Sequence, residues 1–76
     1  MLNKKERVKI RNNLKKIREK NGLTQIELSK ILKISIRHYQ AIENGERIGS
    51  IAIWDKLEDL FNIPQRQLRE LNNSSK

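Results

Sequence analysis

Apolar residues recur at helical spacing along most of the chain, and no strand is predicted. In residues 6–20, which contain neither Gly nor Pro, Ile10, Leu14 and Ile17 follow the spacing i, i+4, i+7. This spacing places the three side chains on one face of a helix. The dipeptide "NG" comes directly afterwards, and both residue types tolerate the left-handed conformation that often ends a helix. The pattern therefore predicts a first helix over residues 6–20.

Capping signals predict four further helices. The segment "TQIELSKIL" opens on Thr24 and has Glu27 three residues later, which is the pattern of a capping box. Ser35 is the last residue of the short break "KIS" and is placed to cap a third helix that ends at a second "NG". Ser50 is placed to cap a fourth helix, and Pro64 suits the first turn of a short fifth. The expected fold class is all-α, and the close spacing of the second and third helices is typical of a helix-turn-helix.

The length of the chain allows one small domain. With 76 residues there is room for a single hydrophobic core. We assign residues 1–71 to that domain and expect its core to include Trp54, which shares a helical stripe with Ile51, Leu57 and Phe61. Residues 72–76, "NNSSK", are expected to form a polar, disordered tail.

The charge of the chain is positive and unevenly distributed. It contains 17 Lys and Arg against 9 Asp and Glu, for a net charge of +8, and nine of the basic residues fall within residues 1–20. A basic segment of this kind predicts a polyanionic partner, nucleic acid rather than a membrane. Composition alone supports a lysine-rich, solvated helix equally well.

Several classes of function find no support in the sequence. There is no Cys and only one His, so we expect neither a metal site nor a cofactor. No apolar run is long enough for a membrane-spanning helix. No pair of residues suggests a catalytic nucleophile with its base. Asp55, Glu58 and Asp59 are close in sequence, but Lys56 lies among them, which is typical of a solvated helix face. The chain is therefore expected to be a cytoplasmic protein and not an enzyme.

The third predicted helix has two unlike faces. Tyr39 and Ile42 form an inward stripe, because they lie close together on a helical wheel. The nearly opposite face carries a guanidinium, two amides, a methyl group and one branched apolar side chain, which belong to Arg37, Gln40, Asn44, Ala41 and Ile36. Arg pairs with guanine edges, Gln and Asn pair with adenine, and apolar groups contact the thymine methyl. This face is suited to reading bases, and an ordinary polar surface is the alternative.

Three motifs together resemble those of a known family. The segments "LTQIELSKILKIS", "YQAIENG" and "LEDLFNI" are similar to the phage repressor/Cro-type, or Xre-type, helix-turn-helix family of DNA-binding regulators. The resemblance covers roughly residues 10–71. It implies a compact five-helix domain with the helix-turn-helix at helices 2 and 3, and double-stranded DNA as the partner.

The resemblance also implies roles for individual residues. The residues expected to face bases in the major groove are Ile36, Arg37, Gln40 and Ala41. Those expected to contact phosphate are Thr24, Gln25, His38, Asn44 and Arg47. For His38, at the edge of the reading face, an exposed neutral imidazole without a DNA contact is the alternative. Arg18 and Glu43 match a pair of residues that form an ion pair, and we expect that pair to stabilise the fold.

Two residues depart from the family pattern in and beside the turn. Lys33 stands where the family often has Gly. A left-handed Lys33 would cost about 1–2 kcal/mol, unless the turn has a different shape. Ser29 stands where the family often has Ala, and its hydroxyl is expected to bond back to a helix carbonyl.

The resulting functional hypothesis is a sequence-specific, repressor-like transcriptional regulator with its recognition helix at about residues 35–44. Many relatives bind palindromic sites as homodimers, with half-sites about 34 Å apart. The alternative is an antitoxin or other protein-interaction module that binds a small protein partner and represses its own gene. Either function places the chain at the nucleoid of a bacterial or phage-infected cell.

Overall fold

Five α-helices joined by short connections make up the computed structural model of the protein, which describes residues 9–73. The helices are α1 (Asn12–Lys20), α2 (Gln25–Leu32), α3 (Ile36–Glu43), α4 (Ile51–Phe61) and α5 (Gln65–Arg69). The predicted all-α fold, with a helix-turn-helix formed by α2 and α3, is therefore confirmed. Within the described range, no helix is both long enough and apolar enough to cross a membrane.

The two ends of the described chain meet in a short antiparallel pairing. Strand β1 (Lys9–Ile10) pairs with β2 (Asn72–Asn73). The predicted start of the first helix at residue 6 is thus wrong for Lys9 and Ile10, which are extended, and α1 begins at Asn12. Helical periodicity is a local signal, whereas this pairing depends on residues from the other end of the chain. Asn72 and Asn73, which were assigned to a disordered tail, are instead paired in β2, so the expectation of no strand is also wrong here. Residues 6–8 of the predicted helix and residues 74–76 of the predicted tail lie outside the described range.

The end of α3 packs closely against β1. The backbone N–H of Arg11 donates to the carbonyl of Glu43 at 2.9 Å. Gly45 has a φ of 82°, and a Cβ at this position would lie 2.5 Å from the carbonyl oxygen of Lys9. A side chain at Gly45 would therefore force β1 away from α3.

The core lies between the helices and draws on all five of them. Its buried apolar residues are Leu14, Leu28, Leu32, Tyr39, Ile42, Ile53, Trp54, Leu57 and Leu68. The predicted burial of Trp54 is confirmed, and its indole N–H donates to the carbonyl of Ile48 at 2.8 Å. Because α3 contributes Tyr39 and Ile42, its opposite side is left at the surface.

The side-chain caps predicted for α2, α3 and α4 are all present, whereas Pro64 lies at the N-cap position of α5, directly before its first turn. Thr24 Oγ1 accepts from the N–H of Glu27, and the Glu27 carboxylate accepts from the N–H of Thr24, which completes a capping box. Ser35 Oγ accepts from the N–H of His38 at the start of α3. Ser50 caps α4 in the same way. These contacts fix the first turns of α2, α3 and α4.

The connection between α2 and α3 depends on a strained residue. Lys33 has φ 60° and ψ 43°, so the left-handed conformation considered from the sequence is the one adopted. Ser29 is buried, and its hydroxyl donates to the carbonyl of Ile26 at 2.8 Å, as predicted.

Replacing Lys33 by glycine is expected to raise the free energy of unfolding by about 1 kcal/mol, because glycine adopts the left-handed conformation without the steric cost that lysine bears. Urea or thermal unfolding measures the change. Lys30→Gly is the matched control, since Lys30 is exposed within α2 and glycine there should lower stability by about 1 kcal/mol. A loss of stability in Lys33→Gly would contradict the strain assigned to this turn.

Candidate nucleic-acid interface

The outer face of α3 borders an open concavity of about 480 Å³. Its lining residues are Ser35, Arg37, His38, Gln40, Ala41, Asn44, Glu46 and Arg47. The structure thus brings together three of the four residues assigned to base reading and three of the five assigned to phosphate. Burial of Tyr39 and Ile42 on the other side of the helix holds this face outward.

The remaining predicted residues lie around this concavity. Ile36, at the first position of α3, is half-buried and is not part of the lining. Thr24 and Gln25 lie at the start of α2. The side chain of Gln25 contacts the outer face of α3, where its Oε1 accepts a hydrogen bond from Gln40 Nε2 at 3.1 Å.

Two lining residues were not predicted from the sequence. Ser35 was assigned only a capping role, and its Oγ does accept from the N–H of His38. Glu46 was given no role from the sequence, although its neighbour Arg47 was expected to contact phosphate. The N–H groups of Glu46 and Arg47 both donate to the carbonyl of Ala41, at 2.8 and 3.2 Å. This turn folds residues 46 and 47 back beside α3, and the wheel of α3 alone has no position for them.

Glu43 joins this face to the core through four hydrogen bonds. Its Oε2 accepts from Arg18 Nε at 2.8 Å and from the Tyr39 hydroxyl at 2.9 Å. Its Oε1 accepts from Gln25 Nε2 at 2.6 Å and from a second Arg18 nitrogen at 3.4 Å. Arg18 and Glu43 are only 7% and 3% exposed. A buried charge requires such partners, because desolvation would otherwise be costly.

The Glu43 cluster shifts the titration of its neighbours. Burial disfavours the charged form of Arg18, but the hydrogen bond and the charge of Glu43 outweigh it, so the pKa of Arg18 is raised. Burial, followed by the negative charge of Glu43, raises the pKa of the Tyr39 hydroxyl. Both side chains therefore keep the protonation states that these hydrogen bonds need at neutral pH.

Arg11 is a buried cation, although the sequence pattern places it simply within a basic segment. Its guanidinium donates to the carbonyl oxygens of Arg69 and Arg47, each at 3.0 Å, and to that of Ile42. It also lies over the Trp54 ring, 5.2 Å from the centroid, within the range of a cation–π contact. Burial, and then the positive charge of Arg69, lower the pKa of Arg11.

Burial of Arg11 and Arg18 changes the interpretation of the basic segment. Both guanidinium groups are used inside the fold, so neither is free for a polyanion. The exposed basic residues of the described part of this segment are Lys9, Lys15, Lys16 and Lys20. Lys4, Lys5 and Arg7 lie outside the described range. No charge pattern in the sequence distinguishes the two buried arginines from these lysines.

The start of α2 offers a second polar surface near α3. Its capping box uses the N–H groups of Thr24 and Glu27. The N–H groups of Gln25 and Ile26 belong to the first turn, where no preceding helical carbonyl is available to them. An anion at this helix start would meet those two groups.

A helix-turn-helix with capped helices and an exposed, polar second helix defines a class of DNA-binding domain. A family model described as "Helix-turn-helix" matches residues 14–64, which include α2, the turn, α3 and α4. The chain therefore belongs to the Xre/Cro-type family of helix-turn-helix regulators, and its partner is DNA. No curated protein and no solved structure matches the chain. Within residues 9–73, no group of three or more His, Cys, Asp or Glu side chains is placed to hold a metal ion.

Proposed function

We propose that this regulator is a sequence-specific repressor that occupies an operator with α3 in the major groove. The observation that carries the proposal is the exposed face of α3, where Arg37, Gln40 and Asn44 project from a helix whose other side is buried. A helix presented in this way fits the width of the major groove, where every base pair shows a distinct pattern of donors and acceptors.

The chemistry of this face suggests how the base-reading work is divided. Arg37 lies in the first turn of α3, which approaches base edges most closely in this motif, and its guanidinium suits the two acceptors of guanine. Gln40 suits adenine. Ala41 and Ile36 are apolar and suit a thymine methyl group.

Groups around the α3 face are suited to phosphate. Asn44 and Arg47 are exposed where the chain leaves α3, and His38, half-buried in the first turn of α3, lines the same concavity. The first turn of α2 adds the N–H groups of Gln25 and Ile26, with Thr24 at the cap. Contacts of this kind set the register of a protein on the duplex without reading its sequence. Glu46 is the one acid in the concavity, and its carboxylate suits a cytosine amino group better than a phosphate.

An exposed apolar surface beside α4 supports binding as a homodimer on a palindromic operator. Ile48 and Ile51 are each 76% exposed, at the end of the α3–α4 connection and the start of α4. Neighbouring exposed apolar side chains of this kind often mark protein interfaces. A second copy docked here would give the dimer two α3 helices, one for each half-site, and half-sites about 34 Å apart are expected.

The affinity for any duplex is expected to fall steeply as salt concentration rises. Each phosphate neutralised by a basic side chain contributes a slope of about −0.9 to log K against log salt. Fluorescence anisotropy with a labelled duplex, between low and physiological salt, measures this slope. A flat response would exclude phosphate contacts by Arg47 and the exposed lysines, and would contradict the proposed mode of binding.

Selection of preferred sites from random duplexes tests the repressor proposal directly. A palindromic site with two half-sites one helical turn apart is expected. Placing that site over a promoter should reduce transcription in vitro when the protein is added. Equal recovery of all sequences would exclude a sequence-specific regulator, and increased transcription would identify an activator.

A further inference from the structure

The side-chain amide of Gln40, which the proposed function assigns to a base, is hydrogen-bonded to the side-chain amide of Gln25. Gln40 Nε2 donates to Gln25 Oε1 at 3.1 Å. Gln25 Nε2 donates in turn to Oε1 of Glu43 at 2.6 Å. Glu43 is buried and bonded to Arg18. A chain of hydrogen bonds therefore runs from the exposed face of α3 to a buried ion pair.

The carboxylate of Glu43 decides the direction of this chain. An ionised carboxylate only accepts hydrogen bonds, so Gln25 has to turn its amino group toward Glu43. A reversed Gln25 amide would place its carbonyl oxygen against a carboxylate oxygen. Because the amino group of Gln25 is bonded to Glu43, its carbonyl oxygen faces Gln40. The amino group of Gln40 donates a hydrogen bond to that oxygen.

This direction determines what Gln40 offers to DNA. Its Oε1 and its second amino hydrogen are left for a base. Adenine presents one amino donor and one acceptor, N7, in the major groove, so it matches this pair of groups. Guanine presents two acceptors, and the oxygen of Gln40 would face one of them. An amide free to turn over would lose part of this selectivity.

We propose that Gln25, held by the Arg18–Glu43 pair, is a positioning residue that gives Gln40 its preference for adenine. This inference rests on the proposed function, since it needs Gln40 to face a base. It assigns Gln25 a part in specificity, beyond the phosphate contact expected from its place at the start of α2. It also extends the Arg18–Glu43 pair from a stabilising contact to one that sets the orientation of a surface side chain.

Gln25→Met tests the proposal, because methionine keeps the length and helix propensity of glutamine but makes neither hydrogen bond. Sites are first selected from random duplexes with the unmodified chain and with Gln40→Ala, which identifies the base pair that Gln40 reads. The unmodified chain should prefer A·T there by roughly ten- to a hundredfold, the range of a bidentate amide–adenine contact. Gln25→Met should reduce this preference by about fivefold or more, since contacting residues are energetically coupled.

The preference should change at that base pair alone. Gln25→Met should leave the preference at the base pair read by Arg37 unchanged. Adding Gln25→Met to Gln40→Ala should bring no further loss at the Gln40 position, because the side chain to be oriented is already gone. Gln67→Met is the matched control: Gln67 is an exposed glutamine of α5, outside this chain of hydrogen bonds, and its replacement should change no base preference.

Three results would overturn the proposal while leaving sequence-specific binding intact. The first is an equal loss of affinity of Gln25→Met for every duplex, which would make Gln25 a phosphate contact only. The second is a Gln40→Ala variant that changes no base preference, or one that identifies a base pair other than A·T. The third is additive effects of Gln25→Met and Gln40→Ala. If the unmodified chain selected no sequence at all, the proposed function itself would fail.

Discussion

Glu43→Ala is expected to lower the free energy of unfolding by about 3–5 kcal/mol, the loss seen when one partner of a buried ion pair is removed. The substitution would leave the guanidinium of Arg18 buried without its carboxylate. It would also remove the acceptor for the Tyr39 hydroxyl and for the Gln25 amide. In a domain of this size such a loss is a large share of the total stability.

A double-mutant cycle separates the ion pair from general damage to the core. Urea or thermal unfolding of Glu43→Ala, Arg18→Met and the double variant yields the coupling energy between the two side chains. The double variant should be more stable than the sum of the single losses predicts, because it strands no buried charge. Additive losses would show that the contact of 2.8 Å between Arg18 and Glu43 contributes nothing specific.

Arg37→Ala is expected to weaken binding to the preferred site by about 1–3 kcal/mol and to relax selectivity at one base pair of each half-site, a G·C pair. Stability should stay within about 0.5 kcal/mol of the unmodified chain, as for other surface substitutions. Arg37 is exposed in the first turn of α3. A positive charge near a helix N-terminus is mildly unfavourable to the helix, so folding gives no reason for an arginine there.

Titrations against the selected site, its single-base variants and a random duplex measure this effect. Lys15→Ala is the control, since Lys15 is exposed on α1 and outside the α3 concavity. Its replacement should weaken binding to all duplexes alike, and only modestly. If Arg37→Ala lost affinity equally for every sequence, Arg37 would be a phosphate contact and the assigned reading face would be wrong.

Four of the five helices could be placed from the sequence because their signals are local. The capping residues Thr24, Ser35 and Ser50 bond within the first turn of their own helices. The apolar spacing of each helix is likewise set by neighbours three or four positions away. The left-handed conformation of Lys33 was one of two possibilities, because the resembled family often has Gly at this position and a turn of different shape was the alternative. The first helix was predicted too early at its start, where β1 takes the place of its first turns.

The candidate site was only partly predictable. The wheel of α3 separated Arg37 and Gln40 from the buried Tyr39, because one helix fixes the relative directions of its own side chains. It had no place for Glu46 and Arg47, which a turn beyond the helix folds back beside α3. Nor did it predict that Gln25 would lie between Gln40 and Glu43, since that contact depends on how α2 packs against α3.

The sequence by itself determined the five-helix order, the side-chain caps of α2, α3 and α4, and the outward face of α3, since each rests on interactions within about four residues. The tertiary structure alone decided the β1–β2 pairing, the burial of Arg11 and the engagement of Gln25. Arg11 and the Arg69 carbonyl that it binds are 58 positions apart, and Gln25 and Glu43 are 18 positions apart. A buried polar group is stable only where hydrogen-bond partners are available to it. Whether a given arginine or glutamine is buried therefore depends on which backbone carbonyls and carboxylates the fold places next to it.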